Sequence, residues 1–169
     1  MNYFLSRNCY ILLFVLFFFP TTLKANSLND SISLKISRPE IIWAVFHPFK
    51  IHKALLISKE TIVITDSIAN SGLLVGYNGG KLDAFKHCLW SALLCQEIGK
   101  QAASALTKAH EKGNRIAYRR MKKPNLIIYS IMDAANNQVG IEIGSHKMNR
   151  LKTIFEVIDT LEKGKLLYI

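Results

Sequence analysis

Between Lys81 and Gly99 the chain would be apolar on opposite sides of a helix at once. At about 100° per residue, Phe85, Cys88, Leu89, Ala92 and Cys95 fall on one broad face, and Trp90, Leu94 and Ile98 fall on the other. A helix that is apolar nearly all round cannot rest on a surface; it has to be covered from several directions. The segment therefore predicts an all-α fold with helix 81–99 buried at its centre.

The flanking sequence supplies the covering helices. Pro39 to Phe46 reads as a short helix, with a proline tolerated in its first turn and Pro48 as its stop. From Phe49 to Ala69 two patterns compete. Thr61-Ile-Val-Ile-Thr65 has strand propensity, whereas Ala54, Ile57, Ile64 and Ile68 follow a roughly helical spacing that ends at Asn70-Ser71-Gly72. Helix is the better reading. Gly76 to Gly80 is a loop, and Gln101 to Glu111 is a helix ended by Gly113. Asn125 to about Ile143 and Asn149 to Glu162 complete the set. The expectation is one compact domain of about five helices over residues 38–169. No internal repeat or Pro/Gly-rich linker divides it. Residues 26–37 alternate loosely (Leu28, Ile32, Leu34, Ile36) and read as an extended N-terminal arm.

Residues 1–25 carry the pattern of an export signal. Arg7 is followed by the apolar run from Tyr10 to Phe19, by Pro20, and by Leu23-Lys24-Ala25 as a cleavage region. The run is about half the roughly 20 residues of a spanning helix, so cleavage is expected, with an uncleaved anchor as the alternative. Cys9 precedes the run, the wrong place for lipidation. Cleavage leaves 144 residues, enough for one ordinary domain, exported to the periplasm or beyond the cell. Loss of Arg7 and Lys24 lowers the net charge from +10 to +8. That balance favours anionic partners such as envelope lipids and polymers. Much of it lies between Lys112 and Lys123, including Arg119 and Arg120, which reads either as a solvated loop or as an anion-binding face. Cys88 and Cys95, about 10.5 Å apart along one helix, cannot bridge and are expected as buried thiols.

Two pairs repeat a four-residue spacing. Asp83 and His87 share one face of the central helix, beside Trp90 and Leu94. A carboxylate held against an imidazole fixes its tautomer and raises its basicity, which suits general-base chemistry. The bland alternative is an acid offsetting the helix dipole and a satisfied core histidine. Asp133 and Asn137 repeat the spacing, and their face continues as Gly140 and Gly144, so that helix can approach a partner closely. Asn136 points about 100° away and is expected to hold backbone. His110 and Glu111 sit near an expected helix end. They reach the same site only if that end points at it.

Taken in order, D-A-F-K-H-x-x-W, A-H-E and M-D-x-x-N-N-x-x-G resemble a family of uncharacterised bacterial helical domains. The blocks here are Asp83, Ala84, His87 and Trp90; then Ala109, His110 and Glu111; then Met132, Asp133, Asn136, Asn137 and Gly140. The resemblance covers roughly residues 79–144. It implies the helical fold and this choice of site residues, without supplying a reaction. Lys86 stands where that family commonly has arginine, which keeps the charge but loses the planar fork.

Two function classes follow. One is a hydrolase of an envelope or extracellular substrate. His87 would be its base, oriented by Asp83, with Asp133, His110 and Glu111 as further acid–base groups or ligands and Asn137 positioning substrate; Lys86, Trp90, Asn136, Arg119 and Arg120 would assist binding. The other is a non-catalytic envelope- or partner-binding module in which the same polar residues form a structural network. Histidines with carboxylates suit a divalent metal such as zinc, although no compact spacing such as H-E-x-x-H points to one. Nucleic acid is a poor third partner, because the basic segment lacks interleaved aromatics beyond Tyr118.

Overall fold

The structure, a computed structural model, describes residues 36–169. The leader and the arm up to residue 35 lie outside the described residues. Six α-helices are present among those described: α1 Arg38–Phe46, α2 Ile51–Asn70, α3 Lys81–Ile98, α4 Lys100–Arg120, α5 Ile127–Ser145 and α6 Arg150–Glu162. Short 3-10 turns at Pro48–Lys50 and Pro124–Leu126 lead into α2 and α5. The fold is all-α, and no described helix is long and apolar enough to cross a membrane.

Helix α3 is the hub and packs against α2, α4, α5 and α6. Leu82, Phe85, Leu89, Leu93 and Leu94 are wholly buried on it, each worth about 1.5–3 kcal/mol of transfer free energy. The two-sided apolar pattern is thus answered by helices on several sides. Helix α5 comes nearest of all. A methyl group at Gly140 would meet the Cys88 carbonyl and the Ser91 hydroxyl, and one at Gly144 would meet the Ala92 carbonyl. The absence of side chains there lets the α5 backbone lie directly on α3. Cys88 and Cys95 are buried and unbridged.

On α2 the stripe Ala54, Ile57, Thr61 and Thr65 faces the core, with Ile64 and Ile68 partly buried beside it. The β-branched run tolerates a helix because Thr61 and Thr65 donate their hydroxyls to the carbonyls of Ile57 and Thr61, one turn back. Arg150, at the start of α6, reaches Glu60 through Nε and Nη2 (2.8 and 3.3 Å) and Glu97 through Nη2 (3.1 Å). It thereby ties α6 to both α2 and α3.

One boundary differs from expectation. Helix α4 does not end near Glu111; it continues through Gly113 to Arg120, so most of the basic stretch is helical rather than loop. Gly113 is a crossing point and not a stop, because a side chain there would collide with Ser37. Packing of the chain before α1 onto α4 explains the glycine. Trp43 then anchors α1 by donating its indole N–H to the Ala102 carbonyl (3.0 Å).

Candidate functional site

The loop before α3 and the first turn of that helix set up the first carboxylate. Asp83 Oδ2 accepts the Gly79 N–H at 2.8 Å, and Oδ1 takes the Lys86 ammonium at 2.5 Å. Lysine thus pairs with the carboxylate as a point charge, without the fork of an arginine. One turn on, His87 points into the junction of α3, α4 and α5. Its Nε2 lies 3.6 Å from Asp83 Oδ1 and 3.5 Å from Asp133 Oδ2, while Nδ1 lies 3.7 Å from Glu111 Oε1. These contacts exceed the roughly 3.2 Å limit of a good N–H···O hydrogen bond.

Glu111 enters from the middle of α4, which is why a helix end was unnecessary to bring it here. Asn137 Nδ2 donates to its Oε1 (3.3 Å), Asn114 Nδ2 donates to Oε2 (3.2 Å), and Ser130 Oγ donates to its backbone carbonyl (3.1 Å). Five of the six catalytic candidates therefore converge: Asp83, His87, Glu111, Asp133 and Asn137. Their exposures are 6, 6, 1, 4 and 2 %. Burial at this level normally demands that every polar atom be paired. Here His87 Nδ1, Asp133 Oδ1 and Asn137 Oδ1 have no hydrogen-bond partner. A small cavity of about 30 Å³, lined by Thr107, Lys108, Asn137 and Gln138 among others, touches the amide end of the cluster.

The sixth candidate stands at the rim. His110 Nδ1 lies 2.9 Å from Glu40 Oε1, its ring meets Trp90 edge-on at 5.1 Å, and its centroid is 6.2 Å from that of His87. Trp90 is fixed by donation from its indole N–H to Ser58 Oγ (2.9 Å). His110, Trp90 and Lys86 are each only partly buried and form the outer edge of the cluster. The remaining binding candidates lie elsewhere. Asn136 clamps the C-terminal tail, donating to the Leu167 carbonyl and accepting its N–H, both at 2.8 Å. Arg119 and Arg120 are exposed in the last turn of α4, with no ion pair among the described residues.

Burial drives His87 well below the ordinary histidine range, helped by the positive charges of Lys86 and His110, so it is a neutral imidazole at neutral pH. The Asn137 amide, close by but outside hydrogen-bond geometry, works weakly the other way. Burial also raises Asp133, and the charges of Asp83 and Glu111 push it further, to about 8. Glu111 is raised chiefly by burial. For His110 burial acts downward, but the Glu40 hydrogen bond and the charges of Glu111 and Glu40 outweigh it, and the net shift is upward. The Tyr118 phenol is raised by burial first and then by Asp133, Glu111 and Asp83, which places it within the field of the cluster.

A family described as Domain of unknown function (DUF6973) matches residues 41–165, a span that contains every residue of the cluster. The chain belongs to the DUF6973 family. No curated protein and no solved structure matches it. Four site residues escaped sequence reasoning: Glu40, one residue before the matched span, and Asn114, Tyr118 and Ser130 within it. Glu40 alone had a signal. Ser37-x-x-Glu40 has the form of a capping box, and the Ser37 N–H does donate to Glu40 Oε2 at 2.7 Å. Its second oxygen, which holds His110, was unreadable because the partner lies seventy positions away.

Proposed function

We propose that this DUF6973 domain is a hydrolase whose acid–base chemistry is carried by the His87 cluster. One observation carries the reading: two titratable groups 3.5 Å apart have environments that push them in opposite directions. Burial holds both in their neutral forms, and a neutral imidazole beside a protonated carboxyl is a base next to an acid, which supports these roles in one site. At neutral pH His87 is an unprotonated base, while Asp133 holds a proton it can give up. In the proposed step His87 takes a proton from an attacking water as the new bond to the substrate forms. Asp133 delivers its proton to the departing group as the old bond breaks. Asp83 orients the imidazole, and the unpartnered Asn137 carbonyl is a free acceptor for a substrate N–H or O–H. Access would run past Lys86, Trp90 and His110, where burial is incomplete.

The reading extends to place and partner. The export leader at residues 1–25 would carry the helical domain to the periplasm or outside the cell. Arg119, Arg120, Lys122 and Lys123, exposed together at the end of α4 and just beyond it, would face anionic envelope material. Reversing these four charges should abolish adhesion to anionic vesicles; unchanged adhesion would mark the segment as solubilising only.

The test of catalysis is turnover of a panel of chromogenic esters, phosphodiesters and glycosides, and of envelope fractions. His87→Gln and Asp133→Asn should each lower turnover by about 10²–10⁴-fold while the far-ultraviolet spectrum stays unchanged. A second reading, a structural network in a binding module, is favoured by the near-complete burial of all five groups. It wins if no substrate turns over and the same variants alter only the melting temperature.

A further inference from the structure

The distances around His87 are too long for good hydrogen bonds. Nε2 faces two carboxylate oxygens, Asp83 Oδ1 at 3.6 Å and Asp133 Oδ2 at 3.5 Å. One ligand atom from each of these three residues lies within 4.8 Å of the others. A zinc-sized ion bound at about 2.0–2.2 Å holds tetrahedrally placed ligands about 3.3–3.6 Å apart. Both contacts of Nε2 match the edge lengths of such a tetrahedron, and the third side of the ligand triangle is no longer than 4.8 Å.

Two further observations point the same way. Asp133 pairs with no lysine or arginine among the described residues, and its Oδ1 is unpartnered although the residue is 4 % exposed. A carboxyl buried this way either keeps its proton or has something positive against it, and a bound ion would take the place of the proton. On the opposite edge of the ring, His87 Nδ1 is also unpartnered and faces Glu111 Oε1 at 3.7 Å. A metal-ligating histidine commonly turns its second nitrogen toward a carboxylate, which fixes the tautomer. Glu111 is itself steadied by Asn137 and Asn114, so all the parts of that arrangement are in place.

We infer that Asp83, His87 and Asp133 form a binding site for one divalent transition metal of zinc's size, with Glu111 orienting His87 from behind. The fourth position is left to water or substrate, as in a catalytic rather than a structural site. Lys86, whose ammonium rests on Asp83 Oδ1, competes with the ion for that oxygen. The inference rests on the reading of the cluster as a working site; with an ion bound, His87 and Asp133 serve as its ligands in place of the base and acid roles they have in the metal-free site, and binding is measured without any substrate.

The purified full-length chain, stripped with a chelator, is titrated with Co²⁺ and followed by visible absorption. One equivalent should bind with the intense bands of a four-coordinate ion, and Zn²⁺ should displace it. His87→Gln and Asp133→Asn should weaken binding by more than about 100-fold, and Glu111→Gln by about 10–100-fold. Replacing the exposed His146 by Gln should change nothing. Lys86→Met, at a partly exposed position, should tighten binding about tenfold or more, as loss of a close like charge does for a bound proton. That variant decides the matter even if the buried ones do not fold. No saturable uptake, uptake that survives the ligand variants, or a Lys86→Met affinity equal to wild type overturns the site. Cobalt uptake with no hydrolysis would retain the site and end the hydrolase reading; hydrolysis that survives full chelation, together with no saturable cobalt uptake, would end the site and retain the hydrolase reading.

Discussion

Replacing Glu40 by glutamine should destabilise the protein in one pH window and scarcely at all outside it. Glu40 Oε1 holds His110 Nδ1 at 2.9 Å, across the junction of α1 and α4, and Oε2 accepts the Ser37 N–H at 2.7 Å. A hydrogen bond to a charged group contributes about 1.5–3 kcal/mol net. The His110 and Glu40 side chains are 30 and 14 % exposed, so solvent screening brings the pair to about 1–2 kcal/mol. The sign follows from both shifts. His110 is raised above 6.5, so its stabilisation is complete below 6.5 and lost as pH climbs through the folded value. Glu40 is lowered below 4.5, so its stabilisation is complete above 4.5 and lost as pH falls through the folded value. The pair is therefore fully effective between 4.5 and 6.5. Urea unfolding, followed by fluorescence of Trp43 and Trp90, should show Glu40→Gln weaker than wild type by about 1–2 kcal/mol near about pH 5.5. The difference should shrink to a few tenths near about pH 9. A deficit of equal size at both values, or one that grows with pH, would refute an ion pair between these groups.

The backbone approach of α5 to α3 predicts that Gly140→Ala costs about 1–3 kcal/mol net, despite alanine's better helix propensity, because its methyl group meets the Cys88 carbonyl. A melting temperature at or above wild type would mean that the two helices can separate freely. Asn136→Ala removes both hydrogen bonds to Leu167 and should lower stability by about 1–3 kcal/mol. Amide exchange should accelerate at Leu167 and Ile169, the latter being the residue whose N–H donates to the Gly79 carbonyl. Protection unchanged at both amides would show that the tail is held without Asn136, by burial of Leu166 and the Ile169 bond to Gly79.

The cluster was partly legible before any coordinates. Asp83 with His87, and Asp133 with Asn137, are pairs one turn apart, and a helix puts such residues on one face whatever else the chain does. The same rule separated Asn136 from its neighbour and gave it to backbone, where it holds the tail. Glu111 was harder, since its usefulness depended on where α4 ended. Gly113 looked like a terminator because its other role, making room for Ser37, is set by a residue far away in sequence. Glu40 was hidden for the same reason. Its capping form is local, but its grip on His110 is not.

Apart from Lys112–Arg120, read as loop, the sequence by itself determined which segments are helical and that residues 81–98 lie at the centre, because hydrophobic periodicity is a property of neighbours along one element. It also determined that Gly140 and Gly144 line a close-packing face. Only the tertiary structure decided that three carboxylates from α3, α4 and α5 meet one imidazole, and that His87 Nδ1, Asp133 Oδ1 and Asn137 Oδ1 are left unpaired in the interior. Distances between helices arise from how side chains of separate elements interlock, and no window of sequence contains both partners.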